Sequence, residues 1–241
     1  MTAIVVEGLS KRFGKITAVA GISFTVARGQ TVALLGANGA GKTTTLAMLL
    51  GLISPSAGRI EILGHDMARA RFAALARMNF ASPYVALPAR LSVAENLRVY
   101  GHLYGVADLS RRIRTLADEL HLGDLLDRPA GTLSSGQKAR LSLAKALINR
   151  PEVLLLDEPT ASLDPDTADR TRSWLSAYRA ASGCTLLLAS HNMAEVERLS
   201  DEALILRRGE IVARGSPAAL RARYGRETLE GVFLDVARAA G

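Results

Sequence analysis

The sequence predicts an α/β fold: a mostly parallel sheet with flanking helices, an antiparallel β region at the amino end and an inserted helical lobe. Three observations predict it. Short unbroken apolar runs at residues 31–35, 153–156 and 185–189 read as strands buried on both faces. The first run turns through a glycine-rich loop into a helix-like stretch, 42–50, and the other two are separated by a helix-like segment, 167–181, which is β-α-β alternation. Ahead of them, residues 4–7 read as a strand and the apolar/polar alternation of 21–26 as a half-buried one.

The remaining elements follow in order. Residues 66–78 and 92–127 have helical spacing, with turn signals at Gly101 and Gly105, and define a helical lobe over 66–130. A further helix is expected over 138–149. The tail is basic over 207–226 and closes with a short amphipathic element from Thr228, so 207–241 reads as a carboxy-terminal extension of a single domain spanning 1–241.

Composition bounds the function. At 241 residues, 49% hydrophobic and 22% charged, the chain buries a proper core, which excludes general disorder. Its most apolar stretch, 47–53, is far short of the roughly 20 residues of a membrane span. Residues 1–10 lack a basic start and carry Glu7 within their apolar run, unlike a signal peptide, so a cytosolic address is expected. The lone Cys184 has no partner for an internal disulfide and reads as a core thiol at a strand start. A net charge of +7 suits nucleic acid, an anionic membrane face or a phosphorylated ligand, but only five of the basic residues are Lys, and an arginine-rich coding bias accounts for much of it.

Gly36-Ala37-Asn38-Gly39-Ala40-Gly41-Lys42-Thr43 fits G-x-x-x-x-G-K-[ST] between a buried strand and a helix. In such a P-loop, glycines let the backbone curl so that successive N–H groups face phosphate oxygens, and the helix amino terminus adds its positive dipole end. Lys42 reaches the β and γ phosphates, Thr43 offers a hydroxyl to Mg²⁺ and Thr44 is a further phosphate donor. Just over a hundred residues on, the apolar run from Val153 ends in Asp157-Glu158-Pro159. Asp157 at the strand exit is placed for the Mg²⁺ shell, and Glu158 for polarising a water in line with the γ phosphate.

Leu133-Ser134-Ser135-Gly136-Gln137, ahead of a helix, narrows the field. It resembles the signature motif of ATP-binding cassette (ABC) proteins, usually Leu-Ser-Gly-Gly-Gln, and the resemblance extends over nearly the whole chain in the family order. It implies a P-loop NTPase core, with Phe13 as the aromatic that stacks on adenine, Ala161-Ser162-Leu163-Asp164 as the D-loop and His191 as the switch histidine beside the γ phosphate. It also implies a head-to-tail dimer glued by ATP, in which Ser134, Ser135, Gly136 and Gln137 of one copy cover the nucleotide held by the P-loop of the other. As this chain carries both halves, a homodimer would have two complete sites.

The sequence departs from the family at the core-to-lobe junction. The family places a Mg²⁺-binding glutamine there; here the stretch is Asn79-Phe80-Ala81-Ser82-Pro83-Tyr84, and the only glutamines are Gln30 and Gln137. Ser82 is the substitute expected at the metal. Ser135 for glycine and Ala37 for proline are milder changes.

Leu91-Ser92-Val93-Ala94-Glu95-Asn96-Leu97, Tyr100-Gly101-His102-Leu103-Tyr104-Gly105 and the closing segment from Thr228 resemble ATPase subunits of bacterial ABC-2 type exporters. That resemblance implies a separately encoded transmembrane permease subunit as partner, a peripheral position on the cytoplasmic face of the membrane, ATP and Mg²⁺ as cofactors, and no nucleic acid. Two other classes stay open. A soluble ABC ATPase acting on nucleic acid or ribosomes would account for the charge, although such proteins usually carry two cassettes or long insertions. A non-enzymatic ATP-binding regulator would account for the missing glutamine, although Glu158 and His191 are both present.

Overall fold

The computed structural model describes residues 1–83, 85–161 and 163–238. Tyr84 of the junction stretch, Ser162 of the D-loop stretch and residues 239–241 of the extension lie outside the described residues.

The strands and helices, in chain order, are β1 (Thr2–Phe13), β2 (Ile16–Ala27), β3 (Thr31–Leu35), α1 (Lys42–Leu49), β4 (Ala57–Ile62), β5 (His65–Asp66), α2 (Arg71–Leu75), β6 (Met78–Ala81), α3 (Val93–Leu103), α4 (Leu109–Glu119), α5 (Ser135–Leu147), β7 (Val153–Asp157), α6 (Pro165–Ser182), β8 (Thr185–Ser190), α7 (Met193–Leu199), β9 (Glu202–Arg207), β10 (Glu210–Gly215), α8 (Pro217–Tyr224) and α9 (Leu229–Arg238). Strands β1, β2, β4 and β5 form an antiparallel sheet in the order β2-β1-β4-β5. The second sheet runs β10-β9-β3-β8-β7-β6; all its neighbours pair in parallel except β10 with β9.

Every residue of β3, β7 and β8 is buried, as their unbroken apolar runs require of strands covered on both faces. Alternate side chains serve two cores. Ala33, Leu35, Leu154, Leu156, Leu186 and Leu188 face the helices on one side, among them Leu97 of α3, Leu116 of α4 and Leu141 of α5. Val32, Leu34, Val153, Leu155, Leu187 and Ala189 face the other side, with Leu46 and Leu49 of α1 and the inner face of the antiparallel sheet. Cys184 is buried at the start of this packing, and burial pushes its thiol up to about 12.

The span 66–130 is less helical than its spacing predicts. Residues 66–78 hold only the five-residue α2, and Met78–Ala81 is the edge strand β6, in register with β7 from Met78 opposite Val153. Pairing with a fully buried strand overrides the local spacing. Farther on, α3 and α4 form as expected, with Ser92 and Glu95 making a reciprocal capping box at the start of α3. Gly105 follows α3 with φ +63°, a turn, whereas Gly101 lies inside α3, where the Leu109 side chain occupies the space of a Cβ. The extension is part of the core: Leu220, Leu229, Val232 and Val236 join the helix-side cluster.

Candidate functional site

Parallel strands deliver their carboxyl ends to one edge of the sheet, where open α/β folds form their crevices. Leu35 at the end of β3 lies opposite Ser190 of β8, and Asp157 of β7 opposite Ala189. The register therefore brings together three segments: the loop 36–41 after β3, the Asp157-Glu158 exit of β7, and the Ser190-His191 exit of β8. They border a cleft of about 850 Å³ that also receives Phe13, from the tip of the β1–β2 hairpin, and Ser82, just past β6. Phe13 is 48% exposed, so a ring face is accessible, and Lys11 Nζ lies 5.1 Å from its centroid.

The glycines of the loop have separate reasons. Gly41 has φ +104°, and a Cβ there would stand 2.6 Å from Ala18 O. Gly36 has no such φ, but its Cβ would meet Leu206 O at 2.6 Å. Gly39 combines φ +79° with open space, leaving the backbone approachable. Outside the loop, Gly209 braces it: its N–H donates to Ala40 O at 3.1 Å, and its carbonyl accepts from Ala20 N at 2.9 Å. The amides of Gly39, Gly41, Lys42, Thr43 and Thr44 have no backbone acceptor among the described residues, while that of Ala40 is turned back onto Ala37 O. These free donors form an anion cradle at the amino end of α1. Lys42 Nζ spans it, donating to Gly36 O at 2.6 Å and Ala37 O at 3.3 Å.

Charge is concentrated across from the cradle. Burial lowers the Lys42 ammonium below its ordinary range, against the pull of Glu158 and Asp157, and burial then the Glu158 charge raise the Asp157 carboxyl above its own. Each is thus primed to gain from an opposite charge. Glu158 has a left-handed backbone, φ +51°, an unfavourable conformation for a non-glycine residue, costing about 1–3 kcal/mol. It is held there by its N–H donating to Ala189 O at 2.8 Å. Its carboxylate meets His191 Nδ1 at 2.7 Å and also accepts from the His191 backbone N–H at 3.4 Å.

The donor set fits a nucleotide with a divalent metal. Thr43 faces the cleft and Asp157 stands across it, both hard oxygen donors. Among the described residues no cluster of three or more His, Cys, Asp or Glu forms a metal cage. A small cation here would complete its shell with phosphate oxygens and water, as Mg²⁺ commonly does.

Other expected site residues do not line this cleft. Gly36 lies at the base of the loop. Ser134 and Gln137 form a second capping box at the start of α5, with Gln137 N donating to Ser134 Oγ at 3.3 Å and Ser134 N to Gln137 Oε1 at 2.9 Å. Ser135 and Gly136 occupy the first turn of that helix. Asp164 caps α6, its Oδ1 accepting from Thr167 N at 3.0 Å. Two exposed apolar residues, Ile16 beside Phe13 and Leu52, also line the cleft, and nothing in their local sequence pattern marks them.

This arrangement has known counterparts. A family model described as ABC transporter matches residues 19–161, from β2 to the loop past Glu158. The chain belongs to the ABC transporter family. It is 42% identical over 221 residues to the Nod factor export ATP-binding protein I of Ralstonia nicotianae, covering 89% of this chain and 67% of that protein. It is 39% identical over 237 residues to the daunorubicin resistance ATP-binding protein DrrA3 of Streptomyces coeruleorubidus, covering 96% and 74%. A solved ATP binding subunit of an ABC transporter superposes with a TM-score of 0.89 at 28% identity, over 98% of this chain and 100% of that one. The protein is an ABC ATPase similar to the ATP-binding proteins of exporters.

Proposed function

We propose that this ABC ATPase binds and hydrolyses Mg-ATP in a head-to-tail homodimer and so drives export by a separately encoded membrane permease. The observation that carries the reading is the convergence of Lys42, Asp157, Glu158 and His191 on one cleft with a free-amide cradle and an exposed aromatic at its rim. Phe13 stacks on adenine, with its hairpin partner Ile16 beside it. The free amides of Gly39, Gly41, Lys42, Thr43 and Thr44 and the Lys42 ammonium take the phosphates, Lys42 exchanging the Gly36 and Ala37 carbonyls for phosphate oxygens. Thr43 and Asp157, with Ser82 in place of the family's glutamine, would hold Mg²⁺, which would offset the negative charge of the phosphates.

Glu158 accepts the proton of the attacking water. In a neutral His191 that donates from Nδ1 to Glu158, Nε2 is an acceptor and repels a phosphate oxygen. To donate to the γ phosphate, the ring must either release Glu158 or carry both protons, and releasing Glu158 also frees that carboxylate for water. Ser134, Ser135, Gly136, Gln137 and Asp164 act on the partner's nucleotide, a role supported by their position away from their own cleft.

No described helix is long and apolar enough to cross a membrane. The reading attaches the chain peripherally, on the cytoplasmic face, through the permease. Its relatives' names support export, and the family match supports a nucleotide-driven transporter over a soluble ATPase acting on nucleic acid. The test is gentle solubilisation of native membranes holding the tagged chain, followed by mass spectrometry. A polytopic membrane protein in about equal amount is expected; recovery only with ribosomes or nucleic acid would overturn the transport role.

A further inference from the structure

Three carboxylates are buried among the described residues, and only Asp157 and Glu158 line the nucleotide cleft. The third, Glu195 in the first turn of α7, is 1% exposed. Thr160 Oγ1 donates to its Oε1 at 2.7 Å and Ser190 Oγ to its Oε2 at 2.6 Å, so both oxygens accept from buried hydroxyls. A buried carboxylate is costly even when hydrogen-bonded, and an apolar residue would pack α7 at least as well. The position of its partners explains what it does.

Thr160 lies two residues past Glu158, on the chain leaving β7, and Ser190 is the last residue of β8, immediately before His191. Glu195 therefore ties the two strand exits together directly behind the Glu158–His191 contact. The tie is fixed at its own end: Asn192 N donates to Ser190 Oγ at 3.0 Å, and Glu195 N to Asn192 Oδ1 at 3.2 Å. It braces a segment whose backbone needs bracing, since Glu158 holds φ +51°.

We propose that Glu195 is a positioning residue for ATP hydrolysis, bridging Thr160 and Ser190 so that Glu158 and His191 keep the separation at which they meet the water and the γ phosphate. The proposal rests on the assignment of Glu158 as general base. When a nucleotide makes His191 release Glu158, the buried bridge and the Glu158 N–Ala189 O hydrogen bond still hold the two strand exits together. Without the bridge the side-chain tie behind Glu158 and His191 is lost, and a displacement of about 1 Å at a reacting group costs up to a hundredfold in rate.

The experiment is steady-state ATP turnover and equilibrium ATP binding for Glu195→Ala, Glu195→Gln and Thr160→Val in the full chain, beside wild type and Glu158→Gln. Glu195→Ala should lower kcat by about tenfold to a hundredfold with the Kd for ATP within about twofold of wild type. Thr160→Val keeps the volume and deletes only the hydroxyl, so it should reproduce about tenfold of the loss and decides the matter if Glu195→Ala does not fold. Glu195→Gln should restore kcat to within about threefold, because Thr160 can reverse its hydroxyl to accept from the amide while Ser190 continues to donate to the oxygen. A purely structural role would lower ATP affinity in step with kcat. That result, or wild-type turnover in Glu195→Ala or Thr160→Val, would overturn the proposal. Wild-type turnover insensitive to Glu158→Gln would instead refute the assignment of the general base, and the proposal would fall with it.

Discussion

Lys145 offers a stability test whose size follows from its surroundings. The residue, on α5, is 9% exposed; its Nζ donates to Phe80 O at 2.8 Å and lies 5.4 Å from the Tyr100 ring centroid, and no ion pair to it is found among the described residues. Burial without a carboxylate lowers its pKa from the usual 10.5 to about 8. Below pH 8 the side chain is charged in both folded and unfolded chains, and the folded state bears the full penalty. Between about 8 and 10.5 the unfolded chain holds the proton and the folded one does not, so stability rises with pH across that window. At about 1.4 kcal/mol per pH unit of difference, the penalty relieved is about 3 kcal/mol. Lys145→Met keeps the unbranched stem and removes the charge. Urea unfolding of both proteins at intervals from pH 7 to 10.5 cancels every other titrating group. The stability advantage of the variant over wild type should shrink by about 3 kcal/mol across that range. A difference constant to within about 0.5 kcal/mol would refute the reasoning.

Three further outcomes are expected. Ser82→Gln, which restores the longer side chain usual in the family, should raise Mg²⁺ affinity or turnover, read by ATPase rate against metal concentration; unchanged values would remove Ser82 from the metal site. Cys184, with its thiol raised to about 12 and buried, should resist alkylation by iodoacetamide at pH 8.5 in the native state and react only on unfolding, as mass spectrometry would detect. Gly209→Ala would set a Cβ 2.9 Å from Ala18 O at a φ of +84°, so it should shift the P-loop and weaken ATP binding about tenfold or more, by calorimetry.

Local chemistry made most of the nucleotide cleft legible. A glycine loop with a lysine, an apolar run ending in two acids and another ending in Ser190-His191 each announce themselves within about ten residues, and parallel pairing then places them at one sheet edge. Contacts between distant segments were not legible in this way. Met78–Ala81 has no strong strand pattern, and it is a strand because β7 lies beside it. Gly101 reads as a turn, yet it is in a helix whose neighbour, Leu109, needs the room. Glu195 looks like any acid in a first helical turn until Thr160, 35 residues earlier, and Ser190 are seen to converge on it. Ser134 and Gln137 show a different limit: their capping box satisfies a structural need of α5, so the role proposed for them on a partner's nucleotide is not visible within one chain.

The most direct test of the central claim is ATP turnover by the purified chain with Mg²⁺, compared with Glu158→Gln in the same buffer, with sedimentation of both in ATP. Hydrolysis by wild type, a loss of about a thousandfold in the variant, and an ATP-dependent dimer trapped by that variant are the predicted results. A Glu158→Gln protein that hydrolyses ATP at the wild-type rate, or that stays monomeric at saturating ATP, would contradict the account.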